Sequence, residues 1–356
     1  MMGKQTEGGF KLEQRHGKAR VRVARVWRNK PDGPHVIVEW CVSISLLSEC
    51  LTAYTRGDNS DIVATDTMKN TVYAKAKECV EQVSVEDFAV LLAKHFTSLY
   101  QQVTCAIVNI VEKPWERVSV DGETHEHGFK LGSERHTTEV ILEKSGALRM
   151  TSGIEGLAVL KTTKAQKEVT KRNIIMCKDT DIISLPLPLN MPRRIRSMIL
   201  NTHLLHHCLK SGFEGFIRDK YTALPDTRER ILATEITASW RYLYESIFSI
   251  PLKPLYFTER YLNVKKVLTD TFYGPPKEGI YSPSVQSTLY DMAKTVLKSF
   301  PDIAAVQLKM PNLHFLPVNL SNKDGTIVKF EDDVYVPTDE PHGSIQATLS
   351  RLWSKM

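Results

Sequence analysis

The chain has 356 residues, 42% hydrophobic and 25% charged, which is room for one large domain or two with a sizeable core. Its formal charge of +6 is local: residues 164–210 hold nine basic and three acidic side chains, so the rest is neutral and offers a nucleic acid no broad basic field. The six cysteines (Cys41, Cys50, Cys79, Cys105, Cys177, Cys208) are scattered without a C-x-x-C pair, which points to free thiols in a reducing compartment and against a disulfide framework or zinc site.

The N-terminus shows no basic segment followed by an apolar run, so no secretory signal is expected. From Ala19 to Val26, Val21, Val23 and Val26 alternate with Arg20, Arg22 and Arg25; the turn-rich stretch 29–34 follows, and 35–46 reads as a second strand of a hairpin. The most apolar run, 36–47, is too short for a membrane span and contains Glu39. Helices are predicted over 67–78 and 84–100. In the second, Ser84 and Asp87 resemble a capping box, and Val85, Phe88, Leu92, Phe96 and Leu99 share one face. Strands are expected at 103–111, 137–142 and 156–160. The order then recurs: a strand over 230–243, helices over 258–272 and 284–300, and strands at 304–309, 314–320, 326–330 and 344–349. Val285, Leu289, Met292, Val296 and Phe300 line one side of the last helix. Two runs of strands, two helices and strands suggest duplication. The expectation is an α+β chain of antiparallel sheets with helices on one face, divided into halves at 1–150 and 151–349 with a tail at 350–356.

No dinucleotide-binding, phosphate-loop, zinc-protease or nucleophile-elbow motif is present. His203, His206, His207 and Cys208 cluster without a partner group, so no metal site is expected. His125 and His127 read as residues of a solvated hairpin. Residue types alone give no reaction.

Seven phrases in order do. They are Arg15-His16-Gly17-Lys18; the run from Asp58 through Thr65-Asp66 to Tyr73; Leu157-Ala158-Val159-Leu160-Lys161-Thr162-Thr163; Ser211-Gly212-Phe213-Glu214-Gly215-Phe216; Tyr221-Thr222-Ala223-Leu224 before Arg230; Ser282-Pro283-Ser284-Val285-Gln286; and Met310-Pro311-Asn312-Leu313-His314-Phe315. Together they resemble urate oxidase, with wording closest to its plant branch, over nearly the whole chain. The resemblance implies two tandem tunnelling-fold half-domains, a homotetramer with active sites between subunits, and no metal or organic cofactor. The implied reaction converts urate, dioxygen and water to 5-hydroxyisourate and hydrogen peroxide in purine catabolism.

The resemblance also assigns roles. Phe213 matches the ring on which the purine stacks, Arg230 the guanidinium that grips a carbonyl and ring nitrogen, and Gln286 the amide at the opposite edge, aided by the Val285 backbone. Lys18 and Thr65 match a proton relay, since a threonine hydroxyl alone is too weak an acid or base. The Asp66 amide is a further substrate contact, His314 the relay histidine, and Asn312 the holder of dioxygen and then water. Taken singly each has a plainer reading: a core aromatic, a surface arginine in the run Arg228-Glu229-Arg230, a polar residue in a first helical turn, a solvated lysine, a helix-capping threonine, a histidine entering a strand.

The chain departs from the family at one place. Where Lys-Thr-Thr is followed after one residue by Ser-x-Phe, residues 165–210 intervene. They read as a translated intron, with a tolerated surface loop or a partner-binding basic extension as alternatives, and they stand next to Phe213, where a small displacement would harm catalysis. A catalytically impaired paralogue or mis-spliced isoform, binding purine or serving as a scaffold, is the competing function. Ser354-Lys355-Met356 resembles the peroxisomal address, which implies the peroxisomal import receptor as a partner.

Overall fold

A computed structural model describes residues 3–7, 9–28, 33–162, 211–227, 229–322, 325–328 and 333–352. The expected insertion at 165–210, the His203 cluster, Cys177, Cys208 and the tripeptide 354–356 lie outside them. In chain order, β1 (Gly3–Glu7) and β2 (Phe10–Gln14) form a small hairpin, followed by β3 (His16–Trp27), β4 (Val36–Ser48), α1 (Leu51–Thr55), α2 (Thr65–Glu78), α3 (Val85–Leu99) and β5 (Val103–Lys113). The hairpin of β6 (Trp115–Val120) and β7 (Glu123–Leu131) precedes β8 (Arg135–Glu143) and β9 (Leu148–Lys161). The second series is β10 (Leu232–Tyr242), α4 (Tyr256–Tyr273), α5 (Val285–Ser299), β11 (Ile303–Pro317), β12 (Leu320–Asn322), β13 (Gly325–Val328) and β14 (Tyr335–Ser350).

Eight of these strands make one antiparallel sheet in the order β14-β11-β10-β9-β8-β5-β4-β3. Each series contributes four strands and two long helices, and β8 pairs with β9 where the two meet. The turn at 144–147 joins them, shortly before residue 150, which itself lies within β9. Alternation dictates the inner face: Trp40, Val42, Ile44 and Leu46 point inward from β4 while Glu39, Cys41, Ser43 and Ser45 do not. Helices α2, α3, α4 and α5 close over that face through one continuous core. Trp40 stacks on Phe88 of α3 with ring centroids 4.3 Å apart.

The Ser84 cap is present: its Oγ accepts from the Asp87 amide at 3.0 Å. All five residues expected on the inner side of α5 are buried. Leu99 is not; it is the last residue of α3 and is 60% exposed. Element boundaries differ from the sequence expectation at several places. Helix α2 begins at Thr65, two residues early. β9 starts at Leu148, since Met150, Ser152 and Ile154 already face inward behind polar neighbours. β11 runs unbroken through Pro311, and the β10–β11 ladder is open between Ala233↔Leu313 and Thr237↔Lys309, where proline has no N–H to give. β14 extends back to Tyr335. His125 and His127 lie on the exposed β6–β7 hairpin, and the apolar run 36–47 is β4. No helix among the described residues is long and apolar enough to cross a membrane. Cys41, Cys50, Cys79 and Cys105 are free.

A buried polar group ties the halves together. Glu86 on α3, fully shielded from solvent, accepts from Ser152 Oγ of β9 and lies 2.8 Å from His136 Nε2 of β8. The imidazole stacks on Tyr261 of α4 at 3.9 Å. Burial alone would lower His136, but the Glu86 carboxylate, by charge and hydrogen bond, raises it above the ordinary imidazole value. Glu112, which accepts from Trp40 Nε1, is pushed up by burial.

Candidate active site

The expected relay residues gather at the start of β3 and of α2. Gly17 is required there: a Cβ on it would come within 2.0 Å of the Ile44 carbonyl oxygen, so only glycine lets β3 lie this close to β4. Beyond Lys18 the β3–β4 register shifts, Lys18 pairing with Ile44 and Val21 with Val42, and Arg20 takes a left-handed φ of 59°. This bulge sets the half-buried Lys18 at the rim of the sheet. His16 Nε2 lies 3.2 Å from the Val63 carbonyl, which makes Nε2 the protonated nitrogen and holds β3 to the segment entering α2; burial lowers its pKa.

Thr65 is the first residue of α2 and Ala64 its N-cap, so Thr65 does not cap a helix starting at Thr67. Ala64 offers no side-chain acceptor, and the first-turn amides of Thr65 and Asp66 point outward with no intrahelical partner. The Asp66 carboxylate is engaged by Lys69 at 2.6 Å and Asn70 at 2.7 Å, leaving its amide as the group on offer. Lys69 chiefly, and Lys18 more weakly, hold the Asp66 carboxyl below its ordinary range, so the Lys18 charge faces this helix end.

The second group forms around the start of β10 and α5. The Phe213 amide donates to Thr227 O at 2.6 Å and Thr227 N returns a bond at 2.9 Å, which closes the loop between them. The Phe213 ring stacks on Phe216 at 4.9 Å and 9°. The Arg230 guanidinium carbon lies 5.5 Å from the Phe213 centroid. Arg230 is half-buried, and its Nε is enclosed without a hydrogen-bond partner among the described residues. Burial lowers its pKa, with Tyr281 opposing. An enclosed donor left unbonded is costly, and a planar ligand carbonyl beside the ring would satisfy it. Ser284 caps α5 by accepting from Ser287 N at 3.0 Å, which leaves the Val285 and Gln286 amides without intrahelical partners beside the exposed Gln286 side chain. Asn312 and His314 are half-buried on β11, on either side of Leu313, which pairs with Ala233 three residues beyond Arg230.

Sequence reasoning missed what joins these pieces. Lys161, at the end of β9, is buried and donates to the Phe272 and Ile280 carbonyls at 3.0 Å each and to Ser282 Oγ at 2.7 Å. Ser282 also forms a parallel bridge with Ser211, and its carbonyl accepts from Gly212 N at 2.9 Å. One signal was legible: Lys161 continues the inward parity of Leu157 and Val159.

Phe213, Arg230, Val285, Gln286, Asn312 and His314 thus share one end of the second half, while Lys18, Thr65 and Asp66 share one end of the first. The two groups do not meet in one chain. β3 is one edge of the sheet and β11 lies six strand intervals away, about 29 Å at about 4.8 Å per interval.

The sequence model of the uricase family matches residues 14–141 and 195–346, more than half of the chain. Uricase-2 isozyme 1 of Canavalia lineata is 65% identical over 355 residues, covering 100% of both chains. The uricase of Arabidopsis thaliana is 60% identical, covering 99% of both. Among solved structures, the uricase of Arthrobacter globiformis superposes with a TM-score of 0.70 at 29% identity, covering 96% of this chain and 95% of that one.

Proposed function

The chain belongs to the uricase family and to its plant branch, and from that premise we propose how its own residues oxidise urate. It is an oxidoreductase of two tandem tunnelling-fold halves that turns urate and dioxygen into 5-hydroxyisourate and hydrogen peroxide. The reacting site is assembled between two copies in a homotetramer. The observation that carries this is the separation above: the proton-handling group sits at one edge of the sheet and the purine cradle near the other. Both edge strands, β3 and β14, are long and unpaired on their outer sides among the described residues, as strands awaiting a partner are.

In the assembled site the purine lies on the free face of Phe213. Arg230 donates a fork of hydrogen bonds to one edge, and its orphaned Nε gains an acceptor. Gln286 and the Val285 amide hold the other edge. From the second copy, the Thr65 and Asp66 amides at a helix N-terminus meet the anionic ring. Thr65 Oγ takes a proton from the urate monoanion and passes it to Lys18, with His314 completing the relay. The dianion then gives one electron to dioxygen held by Asn312 above the ring plane. The two radicals combine to a hydroperoxide at a ring carbon, and water displaces hydrogen peroxide there. Atoms balance: urate, dioxygen and water give the hydroxylated purine and peroxide. The protein's part is orientation and proton management.

Complementation tests the arrangement. Lys18→Met and Arg230→Gln chains are each expected to be inactive alone. Mixed by refolding or co-expression, they should regain about a quarter of wild-type activity, since random pairing leaves that share of sites intact. Mixed oligomers with no recovery, or a fully active monomer, would sink the reading. The proposal extends to the peroxisome through Ser354-Lys355-Met356. A fluorescent protein fused ahead of the chain should collect in peroxisomes and lose that location when the tripeptide is removed.

A further inference from the structure

We propose that Lys161 is a positioning residue for purine binding: its three hydrogen bonds set the spacing among the aromatic plate, the guanidinium and the amide. The inference rests on Phe213, Arg230 and Gln286 being the purine's contacts. Lys161 is 8% exposed, on the face of β9 that otherwise carries Leu157 and Val159. A buried ammonium is tolerated only when its protons are satisfied. Here three N–H groups meet three acceptors: the Phe272 carbonyl, the Ile280 carbonyl and Ser282 Oγ. The Phe272 carbonyl belongs to the last turn of α4, where carbonyls lack intrahelical donors and the helix dipole presents its negative end. The ammonium also sits 5.0 Å from the Phe272 ring centroid. An apolar side chain would fill this place on the strand; a lysine instead grips the segment that runs from α4 to α5.

That segment controls all three contacts. Ser282 bridges to Ser211, and its carbonyl accepts from Gly212, the residue before Phe213. Two residues after Ser282, Ser284 caps α5, whose first turn is Val285 and Gln286, and Thr288 Oγ1 donates back to Ser282 Oγ at 2.8 Å. On the other side, Lys161 pairs in register with Leu232, two residues after Arg230, and the Arg230 amide donates to Ser211 O at 3.0 Å. Phe213 and Arg230 are therefore fixed to the Lys161–Ser282 node through one backbone bond and one register pair, and Gln286 through the short chain from Ser282 and the Thr288 bond. The node acts on substrate through these neighbours.

The test uses full-length wild type, Lys161→Met, Lys161→Arg, Ser282→Ala and, as a reference, Gln286→Ala. Urate turnover, the affinity for xanthine (a purine lacking the C8 oxygen), melting temperature and assembly size are measured for each. Lys161→Met, assembled and assayed well below its melting point, should lose about a hundredfold in kcat/KM, the scale set by a misplacement near 1 Å, with weaker xanthine binding. Lys161→Arg should recover most of that loss by donating to the same carbonyls. Ser282→Ala, which removes one bond of three, should show a smaller change in the same direction, and it carries the test if Lys161→Met fails to fold. The proposal is overturned if the folded Lys161 and Ser282 variants keep wild-type kcat, KM and xanthine affinity while Gln286→Ala is impaired. Wild-type affinity in Gln286→Ala would instead overturn the contact assignment, and this proposal with it.

Discussion

The two halves of the sheet share an order of elements but present their functional groups differently. In the first, Thr65 and Asp66 stand exposed on a helix end whose cap is an alanine, with Lys18 half-buried beside them. In the second, Phe213 and Arg230 are half-enclosed, one donor has no partner among the described residues, and an inner lysine holds the loops behind them. The first gathers a cation, a hydroxyl and helix-end amides; the second gathers an aromatic plate, a guanidinium and an amide, with Asn312 and His314 on the neighbouring strand. The difference teaches that duplication of a scaffold need not duplicate a site. In the assembly proposed above, each half keeps one part of the task and the parts face each other across copies.

Substitutions that separate the tasks break or sharpen this contrast. The largest effect is expected for Lys18→Met: kcat should fall by about 10²- to 10⁴-fold, the usual yield of a positioned proton acceptor, while xanthine affinity stays near wild type. A weakened affinity with kcat unchanged would assign Lys18 to binding and erase the distinction. Next is the seam between the halves. His136→Leu strips the partner from a fully buried carboxylate and should cost about 3–5 kcal/mol of stability, read by denaturant unfolding. Because His136 is raised in the fold, its contribution is complete below the ordinary imidazole value of about 6.5 and is lost as pH climbs through the higher folded one. The stability gap between wild type and His136→Leu should therefore narrow above that window; a gap that widens with pH would contradict the assignment. The smallest effect is at the cradle. Arg230→Lys keeps the charge but loses the planar fork, and should reduce kcat/KM by about tenfold to a hundredfold, mostly through KM.

Much of the framework could be read from residue order. The Val–Arg alternation of β3, the inner stripe of α5 and the Ser84 cap are local patterns, and the structure keeps them. Where polar residues alternate with inward ones, as in Arg149 and Thr151 of β9, the strand was invisible until its neighbours supplied the pairing. The expectation of two strands, 304–309 and 314–320, gave way to one, because the ladder gap that absorbs Pro311 belongs to the sheet. The site was less legible. Phe213, Gln286 and His314 each look ordinary alone, and only likeness to a family joined segments so distant in sequence. Lys161 shows the limit from the other side: its inward parity was visible, but its three acceptors come from residues more than a hundred positions away.

The Ser282 node has one more consequence. The chain departs at Lys161 and Thr162 and returns at Ser211, and both Lys161 and Ser211 are held at the same serine. Whatever length of polypeptide joins them leaves and rejoins the body at a single anchorage, like a side branch on a trunk. The closure entropy of such a branch grows only with the logarithm of its length, about 0.6 kcal/mol per doubling. No strand pairing or helix among the described residues draws on the chain between Thr162 and Ser211, so a change in the length of that connection leaves the described pairings in place.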